Sequence, residues 1–152
     1  MAKPHAARRH SSSNPPEETV LERTLAATPE AAERALEDVL AHIRNSKANC
    51  GDLDEIRLAL REALNNAVCH GSRLNPNQQV HLVCRCHPRQ GLTLVVRDEG
   101  PGFDPDTIPD PTADANLERF GGRGLFIIRQ LMDEVVHQDR GRELRMHRRP
   151  RS

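Results

Sequence analysis

Tryptophan and tyrosine are absent from these 152 residues, and aromatic side chains make up only 2% of the chain. Readers of single-stranded nucleic acid stack bases on aromatic platforms, so that class is excluded as an expectation. An excess of either charge is also missing. Lys+Arg and Asp+Glu are 22 each and the formal net charge is zero, which gives no overall basic field for direct nucleic-acid binding or for an anionic membrane. No apolar run approaches the ~20 residues needed to span a bilayer. The N-terminal stretch carries charge without an apolar h-region, so it does not read as a secretory signal. A cytoplasmic protein is expected, with one modest core, since 36% of residues are hydrophobic.

Cysteine is sparse too: Cys50, Cys69, Cys84 and Cys86. Without an export signal these read as reduced thiols. The run from His81 to His87 has the composition of a metal cluster. In a strand, however, Val80, Leu82, Cys84 and Cys86 share one face, and His81, Val83, Arg85 and His87 take the other. The two cysteines then continue an apolar face, and no tetrahedral zinc spacing is present.

Residues 1–16 are rich in Pro, Ser and basic groups without periodicity and read as a disordered tail; 17–149 read as one domain. Val20, Leu21 and Leu25 suggest an edge strand. Thr28-Pro29-Glu30 is a helix start, with a hydroxyl cap, proline in the first turn and an acid behind it. Ala32, Leu36, Val39, Leu40 and Ile43 continue that helix to about Asn45. Gly51-Asp52 opens a second helix, striped by Ile56, Leu60, Ala63, Leu64 and Val68 and stopping at Gly71. Strands over Val80–Cys86 and Leu92–Arg97 form a hairpin. A long Asp/Gly/Pro-rich loop follows, then a helix after the glycines at 121–124. A closing hairpin turns at Asp139-Arg140-Gly141, and residues 150–152 read as a frayed end. The expected fold class is α+β, a two-layer sandwich with helices on one face of a mixed, mostly antiparallel sheet. The basic ending, Arg140, Arg142, Arg145, His147, Arg148 and Arg149, reads as solvated strand faces and tail.

Three segments carry candidate chemistry. In the second helix, Glu62 and Asn66 are one turn apart on one face, beside Ala63, Leu64, Ala67 and Val68. A carboxylate and an amide there suit a hard cation and proton handling; taken alone, the pattern reads as a polar helix flank. After the strand ending at Arg97, Asp98-Glu99-Gly100-Pro101-Gly102-Phe103 lets backbone approach a ligand while Asp98 accepts hydrogen bonds; alone, it equally suits a turn. At Gly121-Gly122-Arg123-Gly124-Leu125, glycines open an apolar helix whose free N–H groups can cradle phosphate. This third segment is neither the Rossmann fingerprint nor Walker A.

Taken together and in this order, the Glu-x-x-x-Asn-Ala-x-x-His-Gly helix, the Asp-x-Gly-x-Gly-Phe loop and the Gly-x-Gly-Leu helix start resemble the N, G1 and G2 boxes of the GHKL (Bergerat-fold) ATP-binding superfamily. Within it they are most similar to the small anti-sigma-factor serine/threonine kinases. The resemblance spans roughly residues 19–148. It implies a protein kinase using ATP and Mg²⁺ that phosphorylates a STAS-type antagonist protein on serine and also sequesters a sigma factor. It further implies that Asn66 holds Mg²⁺, that Glu62 is the general base, and that Asp98 binds the adenine amino group. Gly100 and Gly102 would let the loop pass close to the nucleotide, and Gly122 and Gly124 would present amides to the phosphates. Residues 103–120 would form a lid, with Arg119 or Arg123 reaching the γ-phosphate. His70 would cap or support the helix end. Relatives often dimerise, so a homodimer is a further expectation. Two departures stand out. Arg142 follows Gly141 where relatives often carry a threonine that supports the adenine aspartate. Asn65 precedes Asn66, where relatives carry a small hydroxyl or apolar residue. Two other readings are a non-catalytic ATP-dependent switch module and a detached histidine-kinase catalytic domain.

Overall fold

Strand β1 (Thr19–Ala26) leads into helix α1 (Pro29–Asn45) in a computed structural model that describes residues 18–102 and 122–151. The expected tail over 1–16, residues 103–121 and Ser152 lie outside the described residues. Thr28 caps α1: its Oγ1 accepts from the Ala31 N–H at 3.2 Å. Asp52 does the same for helix α2 (Leu53–Asn65), accepting from the Asp54 N–H at 2.8 Å. Both helices bury the stripe their spacing predicts. In α1 it is Ala32, Ala35, Leu36, Val39, Leu40 and Ile43; in α2 it is Ile56, Ala59, Leu60, Ala63 and Leu64.

Regular hydrogen bonding does not carry α2 to Gly71. From Asn66 the chain widens into a π-helical turn (Asn66–Gly71), and the Ser72 N–H donates to the Ala67 carbonyl, five residues back, at 2.8 Å. Gly71 is not the left-handed stop that the pattern suggests. The positive φ angles fall on Arg73 and Leu74, at 52° and 57°.

Strands β2 (Gln79–His87) and β3 (Gly91–Asp98) follow, then helix α3 (Gly122–Leu131) and strands β4 (Glu134–Gln138) and β5 (Glu143–Arg148). The sheet order is β1-β2-β3-β5-β4, and every pairing is antiparallel. The sheet among the described residues is therefore antiparallel throughout, a sharper form of the expected mostly antiparallel sheet. The hairpin turn takes the left-handed region at Asp139, Arg140 and Gly141, with φ of 50°, 56° and 79°.

One face of the sheet carries the helices, and strand alternation decides which residues look that way. Val80, Leu82, Cys84 and Cys86 of β2 are all buried, as are Leu92, Leu94 and Val96 of β3 and Leu144 and Met146 of β5. His81, Val83, Arg85 and His87 take the other face as expected. All four cysteines are free thiols, and Cys69 alone is exposed.

Two expectations about the basic ending are overturned. Arg148 occupies the next inward position of β5 after Met146. It is 3% exposed and pairs with Glu55 of α2, so it is a buried ion-pair partner and not a solvated strand residue. Arg151 is docked and not frayed: its N–H donates to the Asn49 carbonyl at 2.7 Å.

Candidate functional site

Asp98 continues the inward row of β3 after Leu92, Leu94 and Val96. Alternation thus delivers a carboxylate to the helix-bearing face at the strand's end, where it is 7% exposed. Its Oδ1 accepts from the Gly100 N–H at 2.8 Å. Burial raises the Asp98 carboxyl above its ordinary range. The Gly100 N–H and the charges of Arg142 and Arg97 pull the other way without cancelling it.

Two glycines make room for this carboxylate. A Cβ at Gly71 would fall 2.2 Å from Asp98 Oδ2, and a Cβ at Gly100 would fall 1.9 Å from the Gly71 carbonyl oxygen. The second clash is with backbone and cannot be relieved by turning a side chain. The π-helical turn and the β3–loop junction are therefore packed main chain to main chain. Gly102, at φ 78°, meets the other side of the junction: a Cβ there would stand 2.7 Å from the Arg140 carbonyl.

Arg142 holds the same loop from the β4–β5 turn. Its Nε donates to the Gly100 carbonyl at 2.8 Å and its Nη2 to the Pro101 carbonyl at 3.0 Å, while Asp139 pairs with its Nη1 at 3.3 Å. The Asp98 N–H donates to the Arg142 carbonyl at 2.9 Å. The residue that departs from the family pattern is thus a brace of the loop beside Asp98, and its charge favours the ionised carboxylate.

A second convergence lies between α2 and α3. Glu62 and Asn66 are half-buried and face the opening turn of α3: a Cβ at Gly124 would fall 2.8 Å from Glu62 Oε2 and 3.4 Å from Asn66 Oδ1. Asn65, the alternative metal residue, is exposed. His70 and Arg123 are exposed as well. Gly122 is the first residue of α3, so the N–H groups of that turn have no intrahelical partner. Arg119 and the proposed lid lie outside the described residues.

Sequence reasoning missed Gly71 as part of the site and flagged Arg142 as a departure from the family pattern without giving it a role. The signal for Gly71 was the His-Gly end of the first motif, which was read as a helix stop.

These two convergences, a buried acceptor at a strand end and hard oxygens over a glycine-opened helix, lie on one α+β sandwich. The chain belongs to the histidine kinase-like ATPase domain family, whose model matches residues 25–148. It is 33% identical over 101 residues to the serine-protein kinase RsbW of Staphylococcus aureus strains JH9 and Newman, and 32% identical to that of strain MSSA476. Each match covers 62% of this chain and 64% of the relative's length. Among the described residues, no helix is long and apolar enough to cross a membrane.

Proposed function

We propose that this chain is an ATP- and Mg²⁺-dependent protein serine/threonine kinase that phosphorylates a STAS-type antagonist and, as an anti-sigma factor, switches between that antagonist and a sigma factor. The observation that carries the reading is the meeting of the Glu62 carboxylate, the Asn66 amide and the Cβ-free turn at Gly124.

The residues fit the groups they would hold. Carboxylate and amide oxygens are the donors Mg²⁺ prefers. The missing Cβ at Gly124 leaves backbone open to phosphate at a positive helix end. When bound, Mg·ATP would supply the γ-phosphoryl group and neutralise its charge.

The chain's own residues do the rest. Asn66 would ligate the cation through Oδ1. Glu62 would take the proton of the attacking serine hydroxyl. Asp98 would accept from the adenine amine, held in aim by Gly100 and by the Arg142-braced loop. Gly122 and Gly124 would turn N–H groups toward the phosphates, and an arginine, Arg119 or Arg123, would meet the charge that develops on transfer.

The test incubates the purified chain with γ-labelled Mg·ATP and its STAS-type antagonist. Phosphoserine on the antagonist is expected. Tight nucleotide binding with no transferred phosphate would sink the kinase reading in favour of a non-catalytic switch.

Gly124→Ala separates folding from chemistry. The atom it meets first is the end of the Glu62 side chain, which can swing away, and alanine is the better helix former by about 1 kcal/mol. The melting temperature is expected to hold or rise. Phosphoryl transfer is expected to slow by about 100-fold, the cost of misplacing a positioned group by about 1 Å. A thermal melt run beside a transfer assay checks both arms.

A further inference from the structure

Helix α1 ends over the far end of β2, and there the structure assembles a group that the strand pattern alone did not reveal. One donor atom each from His42, Cys84 and Cys86 lies within 4.8 Å of the others. His42 comes from the last turn of α1; Cys84 and Cys86 are inward neighbours on β2, 0% and 1% exposed. The two Sγ atoms stand 3.9 Å apart. Two thiolates on one zinc, at ~2.3 Å each and near the tetrahedral angle, stand about 3.8 Å apart. His42 Nε2 is shut off from solvent and has no hydrogen-bond partner, an arrangement that needs an explanation in a native core.

We propose that His42, Cys84 and Cys86 supply three ligands of a zinc-binding site that ties the last turn of α1 to β2. The donor set is soft, as zinc prefers over Mg²⁺. Two thiolates, a neutral imidazole and a dication sum to zero charge, which is what an apolar interior tolerates. The ion would also give the orphaned Nε2 its partner.

The site is separate from the nucleotide residues. Cys86 pairs with Leu92, whereas Val80 at the other end of the strand pairs with Asp98. Six residues of extended chain separate the two by about 20 Å. An ion here would act on the α1 end of the fold, and its binding would raise the melting temperature by mass action.

The test uses the full chain, reduced, stripped of metal with a chelator and kept free of Mg²⁺. Zinc is titrated against a chromophoric competitor, and Co²⁺ is added separately as a spectroscopic probe. One equivalent of zinc is expected to bind and raise the melting temperature, and cobalt is expected to give a thiolate charge-transfer band. Cys84→Ser, Cys86→Ser and His42→Gln should each weaken zinc by at least about 10-fold, as a lost ligand must do at least what a lost ligand-orienting partner does. Cys69→Ser, at an exposed cysteine, should bind as wild type does. The proposal is overturned if wild-type protein gives no thiolate–cobalt band, or if the two β2 variants bind zinc as tightly as wild type. The cobalt spectrum of the unmutated chain decides the matter even if a core variant fails to fold.

Discussion

Glu62→Gln is expected to lower phosphoryl transfer by about 10²–10⁴-fold, the range that a positioned general base contributes, while leaving Mg·ATP affinity within a few-fold of wild type. The substitution keeps shape and removes the ability to take a proton. Glu62 sits half-buried on the last full turn of α2 with its Oε2 against the opening of α3, so an isosteric amide should pack there unchanged. Asn66, the residue proposed to hold the cation, lies one turn further on and is untouched. Calorimetric titration with Mg·ATP and a labelled-phosphate assay on one protein preparation separate the two quantities. Equal transfer rates for variant and wild type would remove Glu62 from the role of base. A parallel loss of binding and transfer would show that it acts through the cation instead.

Much of this site was legible because it rests on local periodicities. Asp98 stood out as the carboxylate opening a glycine-rich run after a strand, although its inward place on β3 shows only in the fold, and Thr28-Pro29 and Gly51-Asp52 were visible as helix openings before hydrophobic stripes. Glu62 and Asn66 were paired by helical spacing. What escaped was set by contacts between distant segments. The π-helical turn has no composition signature. It exists where Gly71 must pass against Asp98, 27 positions away in the chain. Arg142 carried the charge of a solvated strand residue, and only the approach of the β4–β5 turn to the Gly100 carbonyl gave it work. Arg148 was misread for the same reason, since its partner Glu55 stands 93 residues earlier. His42 reads as an ordinary basic residue in a last helical turn until the helix is laid on β2.

Asp98→Asn should split stability from binding, because the feature that suits Asp98 to an amine is a burden to the empty fold. Burial pushes its carboxyl above its ordinary value of 3.8 despite the Gly100 N–H and the nearby arginines. A raised folded-state value means that the native chain binds the proton more tightly than the unfolded one. Between the two values stability therefore falls as pH rises, and the full penalty is present at neutral pH. Asparagine keeps an acceptor for the Gly100 N–H and carries no charge to desolvate. The variant is expected to melt above wild type at pH 7, with the gap closing as pH drops through the folded-state value of Asp98. Its nucleotide affinity should move the opposite way. An amide N–H facing the adenine amine sets donor against donor and leaves a buried group unpaired, a loss of about 2–3 kcal/mol, or roughly 30- to 150-fold. Discrimination between ATP and GTP should shrink with it, since the lost contact is the one that reads the exocyclic amine. Melting curves across pH and competitive nucleotide titrations measure the two halves. Unchanged ATP affinity would show that adenine is held elsewhere, and a lower melting temperature at pH 7 would show that the ionised carboxylate supports the fold it was expected to strain.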